Sequence, residues 1–157
     1  MSGIARGRLV EERKCWRKDH PHGFVAKPRT KPDGTQDTLL WDVTIPGKKN
    51  TIWEGGRFKM QMHFTDEYPT KPPTCIFTPA LFHPNVYDDG KVCLSILNPT
   101  KGWKPSTTIN QILIGIQEVL DNPNNDDAAQ QRPYEASARD RPRYERTVRE
   151  FAARFRE

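Results

Sequence analysis

Apolar side chains fall on every second residue at Leu39, Trp41, Val43 and Ile45, and again at Phe58, Met60, Met62 and Phe64. A two-residue period sends alternate side chains to opposite faces of an extended chain, so both runs predict strands with one buried face. A helix would scatter the same residues around its surface. A shorter run around Cys75 and Phe77 repeats the pattern, and a first strand fits Gly23 to Lys27. Asp33-Gly34, within Lys-Pro-Asp-Gly-Thr at 31–35, is a hairpin signal between the first two strands. Four sequential strands with short connections argue for an antiparallel meander.

Helical patterns flank the strands. Residues 3–18 set Ile4, Leu9 and Trp16 among many basic residues, which reads as an amphipathic helix stopped by His20-Pro21. Thr108 is a helix cap before Ile109, Ile112, Leu113, Ile116 and Leu120, and Pro123 lies beyond the end. A short helix fits 131–139. Asp140 then caps a last helix, with Pro142 in its first turn and a stripe of Tyr144, Val148, Phe151 and Phe155. The fold class is α+β, and 157 residues suffice for one domain, 1–157, with a core that needs no staples.

Three cysteines are too few, and odd in number, for a disulfide framework, so a reducing compartment is expected. No apolar run resembles a signal peptide or a membrane span. The net charge of +5 is unevenly placed. Residues 1–31 carry nine Lys/Arg against three Asp/Glu, residues 132–157 eight against five, and the middle is acidic. Basic ends suit an acidic protein partner or nucleic acid, or are simply solvated helix faces. Cys15, His20 and His22 lack a fourth partner and zinc spacing, so no metal is expected.

Residues 78–107 are rich in Pro, Gly and Asn, and no strand is evident after Phe77. Such a long loop inside a compact domain is usually functional. It holds His-Pro-Asn-Val-Tyr-Asp-Asp-Gly-Lys-Val-Cys, His83 to Cys93. A nucleophilic cysteine normally needs a base or cation beside it. Here the nearby histidine comes ten residues earlier and reads better as a brace for the loop, while Cys75 alternates with Phe77 and reads as core.

Four motifs together, Tyr-Pro-Thr-Lys-Pro-Pro (68–73), the stretch 82–97, Trp-Lys-Pro-Ser-Thr-Thr-Ile-Asn-Gln-Ile-Leu (103–113) and Leu-Asp-Asn-Pro-Asn (120–124), resemble the ubiquitin-conjugating enzyme family over essentially the whole chain. Stretches 8–28, 31–35, 45–49 and 97–105 look most like its SUMO-conjugating branch. The resemblance implies that Cys93 takes an activated modifier from the thiol of an activating enzyme. Thiol–thioester exchange is nearly balanced in energy, so no resident histidine base is required. A substrate lysine then attacks the thioester to give an isopeptide.

The same resemblance assigns roles. Asn85 stabilises the thioester oxyanion or pins the loop that does; losing one oxyanion donor costs about 2.7–4 kcal/mol. Only roughly one lysine in a thousand is neutral near pH 7.4. Tyr87 supplies an apolar wall that depresses the lysine pKa, and Asp127 a carboxylate that orients the amine. Arg13, Lys14, Arg17, Lys18 and His20 match the surface for the activating enzyme and for a second, non-covalent SUMO. Thr74, Ile76, Asp89, Lys91, Ala129 and Gln130 match the surface that reads the acceptor motif.

Several of these positions depart from the family. Thr74 and Ile76 stand where lysines usually face the acid two residues after the acceptor lysine. Asp88, Asp89 and Lys91 replace a Pro-Ser-Gly-Thr-like run. Ala128 replaces a proline.

The resemblance further implies no cofactor, SUMO ligases and lysine-bearing substrates as partners, no nucleic acid, no membrane, a monomer, and a place in nucleus and cytoplasm. A ubiquitin-conjugating enzyme of the same fold, a non-catalytic scaffold and a basic nucleic-acid-binding module are the alternatives. The scaffold would typically lack Cys93, and the module would need a stacking platform that the sequence does not display.

Overall fold

A computed structural model describes residues 3–124 and 139–156. The element order is α1 (Gly3–Lys18), β1 (Val25–Thr30), β2 (Gln36–Pro46), β3 (Arg57–His63), β4 (Thr74–Phe77), a 3-10 turn (Ser95–Leu97), α2 (Ile109–Asp121) and α3 (Arg141–Ala153). The strands form one antiparallel meander in the order β1-β2-β3-β4. The expected helix over 131–139 lies almost wholly outside the described residues, as do Asp127, Ala128, Ala129 and Gln130.

The alternating runs do what their period requires. Trp41, Val43, Ile45, Phe58, Met60, Met62, Phe64, Cys75 and Phe77 are all buried and form one core with Leu9, Trp16, Ile112, Leu113, Ile116, Tyr144 and Val148. The opposite face carries the register ladder Lys27, Asp42, Gln61 and Ile76. Trp53, in the β2–β3 connection, is fully buried and donates its indole N–H to Leu120 O at 2.8 Å.

Three expectations change in detail. The first strand runs Val25–Thr30, because Gly23 has a φ of +86° that extended backbone does not use. In α1 the buried stripe is Ala5, Leu9, Glu12 and Trp16, at true helical spacing, while Ile4 is 76% exposed. In α3 the stripe is Tyr144, Val148 and Ala152, with Phe151 half-buried. Phe155 lies past the helix end and closes an aromatic cluster with Phe58 and Phe151.

The start of α2 is fastened twice. Thr108 and Gln111 form a reciprocal capping box. Glu12 reaches from α1 to accept the Ile109 N–H at 2.6 Å. Arg8 donates to the carbonyls of Pro105 and Thr107, and its guanidinium lies 5.6 Å from the Tyr68 ring. The buried acid Glu12 thus has a defined role, because it occupies the positive end of the α2 dipole.

Candidate active site

The stretch after β4 is more ordered than its composition suggests. Val86 and Val92 form an antiparallel bridge, Tyr87 N donates to Lys91 O, and Cys93 N donates to Asn85 O at 2.7 Å. The segment is a tight hairpin with Asp88 and Asp89 at its tip. It docks on β4 through Val92 N to Cys75 O, Phe77 N to Gly90 O, and an Ile76–Lys91 bridge. Gly90 makes the docking possible. Its φ is +94°, and a Cβ there would stand 2.0 Å from Phe77 O. The absence of a further strand thus holds only in part, since a two-rung ribbon continues the sheet.

Cys93 sits at the open end of this hairpin, half-buried. Cys75, by contrast, is enclosed, and burial pushes its thiol pKa up to about 12. Cys15 is exposed on α1.

His83 is fully buried. Its Nδ1 accepts the Asn85 N–H at 3.0 Å, so Nε2 carries the proton and donates to Val119 O at 2.7 Å. Both ring nitrogens are spent, and burial lowers the pKa to about 4. His83 braces the loop as a neutral imidazole whose one N–H is committed to Val119 O.

Asn85 is also fully buried. Its Nδ2 donates to Asn124 O at 2.7 Å and its Oδ1 accepts Asn124 N–H at 2.8 Å. This two-point clamp ties the Cys93 hairpin to the segment after α2. Of the two expected roles for Asn85, the geometry supports pinning of the loop. Sequence reasoning missed Asn124, whose place just after Pro123 gave no signal of a partner.

Tyr87 is 43% exposed beside Asp88, Asp89 and Lys91, and these four line a groove of about 470 Å3. The Asp89 carboxylate accepts the Lys91 N–H and so shapes the turn. Thr74 and Ile76 are half-buried on the outer face of β4, and Lys91 lies opposite Ile76. The structure therefore brings Ile76 and Lys91 together, with Thr74 one step along the same face.

On α1, Lys14 pairs with Glu11 at 3.5 Å, while Arg17 and Lys18 end the helix exposed, where cations complement its dipole. His20 donates Nδ1–H to Trp16 O and stacks on the Trp16 ring at 5.0 Å. Arg13 differs from its neighbours. It donates to Ala26 O, and burial, then Arg17, lowers its pKa.

Sequence comparison decides the family. A model described as "Ubiquitin-conjugating enzyme" matches residues 8–152. The chain belongs to the ubiquitin-conjugating enzyme family. Its similarity to curated members runs nearly end to end. It is 57% identical to the SUMO-conjugating enzyme SCE1 of Arabidopsis thaliana, over 94% of this chain and 92% of that one. It is 54% identical to the SUMO-conjugating enzyme UBC9 of Caenorhabditis elegans, over 99% and 93%. It is 51% identical to the Sumo-conjugating enzyme ubc9 of Dictyostelium discoideum, over 95% and 94%. In this ubiquitin-conjugating enzyme the helix, meander and Cys-bearing hairpin take the order that the motifs imply.

Proposed function

We propose that this ubiquitin-conjugating enzyme family member conjugates SUMO, with Cys93 as the thioester-forming residue. The observation that carries the reading is similarity above 50% identity, over more than nine-tenths of each chain, to three SUMO-conjugating enzymes. The site supports it: of three cysteines, Cys93 alone is partly exposed within a braced hairpin.

In the first step the Cys93 thiolate attacks the SUMO thioester on an activating enzyme, and that enzyme's thiolate leaves. In the second, a neutral substrate amine attacks the same carbonyl, Cys93 leaves as thiolate, and the amine proton passes to solvent. Asn85 acts as a positioning residue that fixes Cys93 against the Asn124 segment. Tyr87 offers the incoming lysine an apolar wall, and Asp127 remains the carboxylate assigned to orient it. Arg17, Lys18 and His20 form the exposed basic surface for the activating enzyme and a non-covalent SUMO. Arg13 also serves the fold. Ile76, Thr74 and Lys91 face the acceptor motif, with Asp89 shaping the turn; Ala129 and Gln130 keep the motif-reading role that the resemblance assigns them. SUMO ligases and lysine-bearing proteins are the further partners, with the enzyme acting as a monomer in nucleus and cytoplasm.

The test is a charging assay with purified SUMO-activating enzyme, ATP and SUMO, run on gels with and without reductant. A reductant-sensitive adduct with SUMO, and none with ubiquitin and its own activating enzyme, supports the reading. The reverse pattern refutes it.

A further inference from the structure

Two grooves meet at one carboxylate. The first is lined by Tyr87, Asp88, Asp89 and Lys91. The second, of about 320 Å3, runs between Leu81-Phe82 and α3, over Thr147, Glu150, Phe151 and Arg154, and Asp88 lines it too. Asp88 thus lines both grooves, one at the tip of the Cys93 hairpin and one along α3.

The two tip acids are not equivalent. Asp89 spends its carboxylate on the Lys91 N–H. Asp88 is exposed, and no described residue gives it a hydrogen bond or ion pair. Among the described residues, the charged groups that line these grooves with it are Asp89 and Lys91 on its own hairpin and Glu150 and Arg154 across the second groove. Among the described residues, Arg154 pairs with neither Asp88 nor Glu150. Counting the described residues, the α3 groove therefore offers two carboxylates against one guanidinium.

The spacing suits a substrate. From the rung between Cys93 and Asn85 to the hairpin tip is three residues, roughly 10 Å at about 3.4 Å each. An acceptor segment extended along the hairpin covers that distance in about three residues of its own.

We propose that Asp88 is a specificity-determining residue, favouring substrates with an arginine or lysine a few residues from the acceptor lysine. The inference rests on Cys93 being the thioester residue. It adds a cation-reading position to a surface otherwise expected to read an acid.

The test walks one arginine through four positions on either side of a single acceptor lysine in an otherwise alanine-rich peptide. Single-turnover discharge is measured from charged wild type, Asp88→Asn and Asp88→Lys. An exposed ion pair predicts that arginine at one or two positions speeds discharge by about two- to fivefold over alanine in the wild type. The ratio falls to one in Asp88→Asn, drops below one in Asp88→Lys, and shrinks in high salt. A flat wild-type scan, or the same ratio in Asp88→Asn as in wild type, overturns the assignment. Charging is read on the same samples before discharge. No thioester in the wild type overturns the proposed function as well, whereas normal charging with a flat scan overturns Asp88 alone.

Discussion

Asn85 and Asn124 hold each other by two hydrogen bonds, at 2.7 and 2.8 Å, between one side-chain amide and the backbone of one residue. A side chain used this way sets where the backbone around Cys93 stands. Asn85→Ala should still charge, but discharge to free lysine should slow by about 10- to 100-fold, less than the roughly 10²–10³ typical of a lost oxyanion donor. It should also lose about 1–3 kcal/mol of stability through the broken clamp. Single-turnover discharge and denaturant unfolding measure the two effects, and wild-type discharge in a destabilised variant would separate the clamp from the chemistry.

Cys93→Ser should trap SUMO as an oxyester that resists reductant, or abolish charging. Cys15→Ser should charge normally. Cys75→Ala should charge as well, at a modest cost in stability, because that thiol is enclosed and its pKa is pushed up to about 12. A reductant-sensitive adduct in Cys93→Ala would refute the assignment.

His83 gives the fold an acid limit. Its pKa is about 4 in the folded protein, below the ordinary 6.5. Between those values the unfolded chain binds a proton that the folded one refuses, so stability falls as pH falls through the window. The full effect is about 3 kcal/mol. His83→Gln, weaker overall, should show a flatter dependence of unfolding free energy between pH 7 and about 4.

The basic face of α1 should divide into two classes. Arg17→Glu with Lys18→Glu touches exposed side chains only, and should weaken SUMO titration and charging with the melting temperature held. Arg13→Glu also breaks the bond to Ala26 O, so it should cost about 1–2 kcal/mol of stability in addition. Equal melting temperatures for both variants would contradict that division.

On the proposed reading of the acceptor motif, Thr74 and Ile76 offer no cation on the outer face of β4, and Lys91, opposite Ile76, supplies one. A preference for an acid two residues after the lysine should therefore be weak but measurable. Thr74→Lys with Ile76→Lys should raise the Glu:Ala discharge ratio by up to about thirtyfold, at roughly 0.2–1 kcal/mol per exposed pair. An unchanged ratio would remove these positions from the reading surface.

The meander was legible because a two-residue period survives in sequence: Trp41, Val43 and Ile45 can bury together in no other regular form. α2 and α3 were legible for the same reason at a different period, and Thr108 and Asp140 announced their own starts. Glu12 was not legible. It falls in the stripe of Leu9 and Trp16, yet an acid among basic residues reads as solvated until a helix end is brought to it. Ile4 was misplaced in that same stripe, whose phase Ala5 sets. The Val86–Val92 hairpin escaped because two rungs carry no period at all. At the site, the Cys93 and Asn85 motif was readable, but the partner of Asn85 was not, since Asn124 contributes only backbone. Asp127 carries its role on resemblance alone.

The bond from Glu12 to the Ile109 N–H stands at the start of α2. Near the other end, roughly 15 Å along the axis, Val119 O holds His83, and from His83 the chain passes to Asn85 and Cys93. α1 and the Cys93 thiol thus stand at the two ends of one stiff ruler. A partner that grips α1 is handed the position of Cys93 already measured, with no joint between them to set.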